Sequence, residues 1–242
     1  MAVQKTGEGI FENLSNYLII DVRSPDEYAH AHIPNAFSLP LFTNEERAAI
    51  GTTYKQQSRE AAIKLGLPFF GNKMQNMIEQ VEGWVAIYEK TNGNKPTILV
   101  HCWRGGMRSQ ILSWLLSMVG FEIYRLKGGY KTYRTYTFEK VRENYPLLVL
   151  GGKTGTGKTV LLKKLKESGE QVIDLEGLAH HKGSSFGSIG QLPQPTVEQF
   201  ENLLAEELRL MDLRNPIWVE NESRKIGRLI IPDHFYEQMI NS

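Results

Sequence analysis

The chain has 242 residues, of which 41% are hydrophobic and 23% charged, with 28 basic and 27 acidic side chains for a net charge of +1. That length allows one large domain or two ordinary ones, the composition excludes a disordered chain, and the charge balance demands no polyanionic partner. A single cysteine excludes an internal disulfide, a cysteine-rich zinc site and a dithiol relay, and it fits a reducing, cytoplasmic compartment. The polar N-terminus MAVQKTGEGIFEN lacks the layout of a signal peptide. The longest largely apolar stretch, 111–121, is broken by serines and is shorter than the ~20 residues of a membrane span. A soluble protein with no membrane partner is therefore expected.

In chain order, Tyr17–Asp21 reads as a short buried strand. Ser24-Pro25-Asp26-Glu27 has the layout of a capping box with proline at the first helical position, and Thr43-Asn44-Glu45-Glu46 is a second helix start. Apolar residues at helical spacing run from Met74 to Tyr88. Thr97–His101 reads as a buried strand, 108–119 as a helix, and Glu122–Leu126 as a strand ending at Gly128-Gly129. A boundary is expected near Asn144-Tyr145-Pro146, giving domains 1–145 and 146–242. The alternation then restarts: strand at Leu147–Gly151, helix from Gly157, strand QVIDL, helix from Thr196, strand Pro216–Glu220. Strands alternating with helices predict an α/β fold built on mainly parallel sheets. The second domain has room for about three strands where such sheets usually carry ~five or six, so it is either minimal or incomplete at its C-terminus.

The segment His101-Cys102-Trp103-Arg104-Gly105-Gly106-Met107-Arg108-Ser109 joins a buried strand to a helix. Backbone N–H groups of such a loop converge on an anion, and the same field favours a thiolate. Gly105 and Gly106 let the loop curl, and Arg104 and Arg108 add charge that can hold an oxyanion. Cys102 is therefore the candidate nucleophile, against the alternative of a small buried hydrophobe at a strand end. Two chemistries use such a loop. The His-Cys-x5-Arg-Ser spacing is that of cysteine phosphatases, and a cysteine can also carry sulfur or selenium.

Gly152-Lys153-Thr154-Gly155-Thr156-Gly157-Lys158-Thr159 fits G-x-x-x-x-G-K-[ST], after a strand and before a helical pattern. Gly152, Gly155 and Gly157 free backbone N–H groups for phosphate oxygens. Lys158 adds charge, and the Thr159 hydroxyl is placed to reach a magnesium ion. A diphosphate is the expected ligand, and a nucleotide is its commonest owner. Asp174 and Glu176 at the end of one strand, and Glu220 and Glu222 at the end of another, stand where an acid, base or metal-directing carboxylate belongs. His180 and His181 precede the glycine-serine run GSSFGSIG, a substrate-facing loop in one reading and a solvated helix end in the other. Arg125, Lys127, Lys131, Arg134, Lys140 and Arg142 interleave with Tyr130, Tyr133 and Tyr136. That pattern suits RNA, although a charged solvated helix face is the commoner explanation.

Residues 21–41, DVRSPDEYAHAHIPNAFSLPL, resemble the N-terminal signature of rhodanese domains, with Asp21 and Arg23 after the first strand. Phosphatases of the Cdc25 type share that fold, which leaves the phosphatase alternative open at this level. The further runs LFTNEERAAIGTTYKQ, AAIKLGL, HCWRGGMRSQ, LKGGYKTYR, GGKTGTGKT, VIDLEGLAHHKGSSFG and WVENESRKIG extend the likeness along essentially the whole chain. Together they resemble the tRNA 2-selenouridine synthases, a rhodanese-like domain followed by a phosphate-loop domain.

The resemblance implies an enzyme that replaces the sulfur of wobble 2-thiouridine in tRNA by selenium from selenophosphate. It implies two steps, S-geranylation by geranyl diphosphate and then displacement of the geranylthio group. Cys102 matches the family's catalytic cysteine, the selenium carrier, and residues 152–159 match its diphosphate-binding loop. Selenophosphate and geranyl diphosphate enter as substrates with no tightly bound cofactor, and a selenophosphate-supplying enzyme is the implied partner. His30-Ala31-His32 and Lys182 depart from the family pattern, and the family continues past position 242. A cysteine phosphatase fused to a nucleotide-binding module, and a truncated, inactive tRNA- or nucleotide-binding member, stand as the alternatives.

Overall fold

A computed structural model describes residues 3–5, 9–152, 156–184 and 186–242. The elements of the first half are β1 (Val3–Lys5), a 3-10 turn (Phe11–Asn16), β2 (Tyr17–Asp21), α1 (Pro25–His30), β3 (Phe37–Ser38), α2 (Asn44–Gln56), α3 (Arg59–Gly71) and α4 (Met74–Asn92). They continue with β4 (Thr97–His101), α5 (Met107–Met118), β5 (Ile123–Leu126) and α6 (Tyr130–Lys140). The second half holds β6 (Leu147–Leu150), α7 (Lys158–Glu167), β7 (Gln171–Ile173), α8 (Leu175–Ala179) and α9 (Val197–Arg209). It ends with β8 (Ile217–Glu220), β9 (Lys225–Ile226), β10 (Leu229–Ile230) and α10 (Asp233–Ile240).

The chain divides into two compact units, 1–133 and 134–242. The division falls inside α6, earlier than the 145/146 boundary expected from the sequence. The reason is that α6 changes allegiance along its length. Tyr130 and Tyr133 are buried in the first unit, whereas Arg134 bonds to Asn202 of α9, and Val141 and Tyr145 belong to the second core.

In the first unit five parallel strands run in the order β1-β5-β4-β2-β3. Apolar side chains of β2 and β4 (Leu18, Ile20, Ile98, Val100) meet Val81 and Val85 of α4 and Leu112, Leu115 and Leu116 of α5 in one core. Strands buried in this way need the near-continuous apolar runs that YLIID and TILVH supply. Both expected capping boxes form: Glu27 Oε2 accepts from the Ser24 N–H at 3.1 Å, and Glu46 Oε2 from the Thr43 N–H at 2.8 Å. The second unit is a three-stranded parallel sheet, β6-β8-β7, with a small antiparallel hairpin, β9–β10. Helix α9, capped by Thr196, buries Phe200, Leu204 and Leu208 against Ile217 and Val219 of β8. Each unit is thus an α/β sheet, as expected. The register brings Asp21 beside His101 in the first unit and Leu150 beside Glu220 in the second, so within each unit the loops that follow these strands leave one edge of that unit's own sheet. No helix among the described residues is long and apolar enough to cross a membrane.

Candidate functional site

Cys102 follows the central strand β4 and is 3% exposed. Its Sγ lies 3.4 Å from Ser109 Oγ, whose hydroxyl also donates to the Gly106 carbonyl at 2.9 Å. The loop is clamped from the start of α6: the Tyr130 N–H donates to the Cys102 carbonyl at 2.8 Å and the Lys131 N–H to the Trp103 carbonyl at 3.0 Å. This approach requires glycine at two places. Gly105 has φ +64°, and a Cβ there would lie 2.6 Å from the Leu126 carbonyl oxygen. Gly129 has φ +62°, and its Cβ would overlap the Cys102 carbonyl oxygen. Gly106 precedes the first turn of α5, and Arg104 is exposed.

Arg108 does not stand free beside the cysteine. It donates to Glu27 of α1 at 2.6 and 3.3 Å. Burial alone would push the Glu27 carboxyl up, but the Arg108 hydrogen bond and charge outweigh it and hold the group down at about 2. The same contact outweighs burial at Arg108 and holds its guanidinium above the ordinary value. Below the loop, Arg23 and Asp21 form a buried pair at 2.6 Å, and the guanidinium also donates to the Ala31 carbonyl and lies 3.8 Å over the Tyr130 ring. His101 is fully buried, and desolvation holds its pKa below the ordinary value against the opposing charge of Asp21. Glu27, Ser109 and Gly129 are site residues that the sequence reading did not single out as such. Ser109 sat within the quoted loop and Gly129 at the strand end, but Glu27 carried only its capping signal.

In the second unit, Gly157 (φ +84°) caps α7, and Lys158 Nζ donates to the Gly152 carbonyl at 2.7 Å. Gly155 lies outside the described residues. The Thr159 hydroxyl donates to Glu176 Oε2 at 3.4 Å, and the Glu176 N–H donates to Glu220 Oε1 at 2.8 Å. A Cβ on Gly183 (φ +65°) would lie 2.6 Å from Glu222 Oε2 and 2.8 Å from Glu176 Oε1, so both glutamates face that backbone. Asp174 is committed to capping α8, its Oδ1 accepting from the Gly177 N–H at 2.7 Å. Glu220 is buried, and that burial, with the like charges of Asp174 and Glu176, pushes its carboxyl up to about 7. Burial raises Glu176 and Glu222 as well, each with a neighbouring carboxylate adding to the shift. Among the described residues no cluster of three or more His, Cys, Asp or Glu side chains is arranged to hold a metal ion. The Thr159 hydroxyl beside Glu176, and the buried Glu220 Oε2, which has no hydrogen-bond partner among the described residues, fit magnesium only together with ligand phosphates.

Two sequence expectations are corrected. The tyrosines interleaved with basic residues are not a stacking platform at their start, because Tyr130 and Tyr133 are buried. Arg134 is equally withdrawn, bonded to Asn202 and Glu201. Lys127, Lys131 and Arg142 remain exposed. His181 is buried rather than solvated, and His180 Nδ1 lies 2.9 Å from the Pro193 carbonyl oxygen, so neither is a free helix end.

A parallel sheet with a glycine-pinned cysteine loop at its carboxyl edge defines a rhodanese-like protein, and the rhodanese-like domain family model matches residues 10–136. The tRNA 2-selenouridine synthase AAA domain model matches residues 145–242. Curated tRNA 2-selenouridine synthases are similar throughout. That of Nitrosomonas europaea is 41% identical over 231 residues, covering 93% of this chain and 58% of the relative. That of a Sulfurovum species is 40% identical, covering 93% and 60%. The chain belongs to the rhodanese-like family, and its rhodanese-like domain is followed by an AAA domain of the tRNA 2-selenouridine synthase type. It spans about three-fifths of the length of the curated relatives it matches.

Proposed function

We propose that the chain carries the sulfur-to-selenium exchange of its relatives: conversion of wobble 2-thiouridine in tRNA to 2-selenouridine, with selenophosphate as selenium source. The observation that carries this reading is the pairing, on one chain, of the clamped Cys102 loop with the phosphate loop, in a sequence similar to those synthases over 93% of its length.

The chemistry divides between the units. In the first step the thiocarbonyl sulfur attacks C1 of geranyl diphosphate. A C–S bond forms, the C–O bond breaks, and diphosphate leaves with the electron pair. The phosphate loop suits that leaving group, with Lys158 and the N–H groups of residues 156–159 supplying positive charge and Gly152, Gly155 and Gly157 permitting close approach. Magnesium, held by Thr159 and the ligand's own oxygens, would supply further neutralisation there. In the second step the selenium of selenophosphate adds at C2, the C2–S bond breaks and geranylthiolate departs with its electron pair, and water takes the phosphoryl group as the P–Se bond breaks, so selenium stays at the selenide level throughout. Alkylation makes that departure easier, and Cys102, which matches the family's catalytic cysteine, is the residue expected to receive the selenium donor there. Arg104 is the exposed cation nearest in sequence to receive an anionic donor. tRNA and a selenophosphate-supplying enzyme are the expected partners, in a cytoplasmic setting.

The phosphatase alternative needs Arg108 to hold phosphate in a two-pronged grip, and both prongs are taken by Glu27. The test is nucleoside mass spectrometry of thiolated tRNA incubated anaerobically with the protein, geranyl diphosphate and selenophosphate. 2-Selenouridine that vanishes in Cys102→Ala is the expected result. Unchanged 2-thiouridine with no geranylated form would remove the reading.

A further inference from the structure

The first unit contains a cavity of about 610 Å³ that the cysteine chemistry itself does not explain. It lies among α2, α3 and the start of α5. Phe42, Ile50, Ile63, Phe70 and Ile111 give it apolar walls. Arg47, Lys55, Arg59 and Arg108 also line it, and no carboxylate does among the described residues. Arg47 and Arg108 share Glu27, whereas Lys55 and Arg59 are exposed. Met107 and Arg108, the first two residues of α5, belong both to the cavity and to the segment that leaves the Cys102 loop.

Two helical glycines border the cavity, Gly66 at a close packing contact and Gly51 beside open space. A Cβ on Gly66 would meet Phe42 at 3.2 Å and Ile50 at 3.3 Å, so glycine there lets α3 close on its neighbours. A Cβ on Gly51 would meet nothing within 4 Å. Glycine in a helix interior costs up to about 1 kcal/mol relative to alanine, and at Gly51 no packing contact requires it. Open apolar volume, a cationic border and a helix that stays thin beside the void suit a ligand with a hydrocarbon tail and an anionic head. The volume lies in the ~300–1,000 Å³ range of small-molecule sites.

We propose that this cavity seats the ten-carbon isoprenoid tail handled by the enzyme, holding it beside the cysteine loop. The proposal rests on the reading above, and it places tail recognition in the rhodanese-like unit. The tail has two sources, the diphosphate donor and the geranylthio group already attached to uridine, and the experiment separates them.

Calorimetry is run with three probes: geranyl diphosphate, the neutral nucleoside S-geranyl-2-thiouridine, and inorganic diphosphate. The proteins are the wild type, Gly51→Leu and Ala48→Leu, with melting curves showing that the variants fold. At least one geranyl probe is expected to bind the variants about tenfold or more weakly, the scale on which a few methylenes discriminate in an apolar pocket, with inorganic diphosphate unaffected. A loss confined to the diphosphate probe assigns the cavity to the donor. A loss with the nucleoside assigns it to the alkylated uridine. Geranyl probes that bind wild type and both variants equally, or that do not bind wild type, overturn the proposal. Failure of the functional reading looks different: the wild type leaves 2-thiouridine in tRNA unmodified while the tail probes still bind and still discriminate Gly51→Leu.

Discussion

The two loops at the carboxyl edges of the two sheets handle charge in opposite ways. Around Cys102 the charges are already matched, with Arg108 on Glu27 and Arg23 on Asp21, and the loop is pinned through backbone hydrogen bonds. Around Lys158 they are unbalanced on the acidic side, with Glu176, Glu220 and Glu222 crowded and all raised. The first arrangement fixes a geometry and leaves the reacting atom to act. The second holds electrostatic strain that a cation would relieve on binding.

The strongest way to break that comparison is to remove one loop at a time. Cys102→Ala is expected to abolish selenium transfer, by on the order of 10³-fold or more, while leaving geranyl transfer in place. Lys158→Ala is expected to lower geranyl transfer by about 10²-fold. Nucleoside mass spectrometry separates the products, and loss of both activities in both variants would overturn this division of labour.

Next in size is the test of pinning. Gly129→Ala forces a Cβ onto the Cys102 carbonyl at a positive φ, which costs about 1–3 kcal/mol. A melting temperature several degrees lower is expected. Gly183→Ala in the second unit pushes on glutamate side chains, which can move, and its effect on melting is expected to be smaller.

The smallest effects come from pH, and they run in opposite directions. Glu27 is held at about 2 against an ordinary 4.5, so its contribution is present above pH 4.5 and is lost as pH falls toward 2. Glu220 is raised to about 7, so the stability it permits is complete below pH 4.5 and is lost as pH rises through 7. Melting curves should show Glu27→Gln flattening the acid side and Glu220→Gln the neutral side. A Glu220→Gln protein that still loses stability between pH 5 and 8 as wild type does would remove the claim of a strained carboxylate cluster.

Local signals in the sequence carried a long way. Strands Tyr17–Asp21 and Thr97–His101 form as expected because buried parallel strands need uninterrupted apolar runs, and the helix starts at Ser24 and Thr43 follow from side chains three residues apart. Asp174 carried a readable signal too, since aspartate before a short helix caps it, yet its place at a strand end drew attention to catalysis instead. Contacts between distant residues were not legible. Nothing near Arg108 in the chain announces Glu27, and nothing near Arg134 announces Asn202. Such partners are chosen by packing, so a cation seen in sequence as free to meet a ligand can be committed within the protein. Tyr130 and Tyr133 went the same way, since the aromatic pattern does not distinguish a stacking face from a buried one.

One cysteine in 242 residues, almost wholly covered, makes the protein its own stopwatch. A thiol reagent can reach that sulfur only when the loop opens, so the rate of a single mass increment counts openings directly, with no other thiol to confuse the reading. On the proposed function, the selenium donor would need that same opening to reach Cys102. A ligand that holds the loop shut would slow labelling, and under the proposed function it would slow turnover with it.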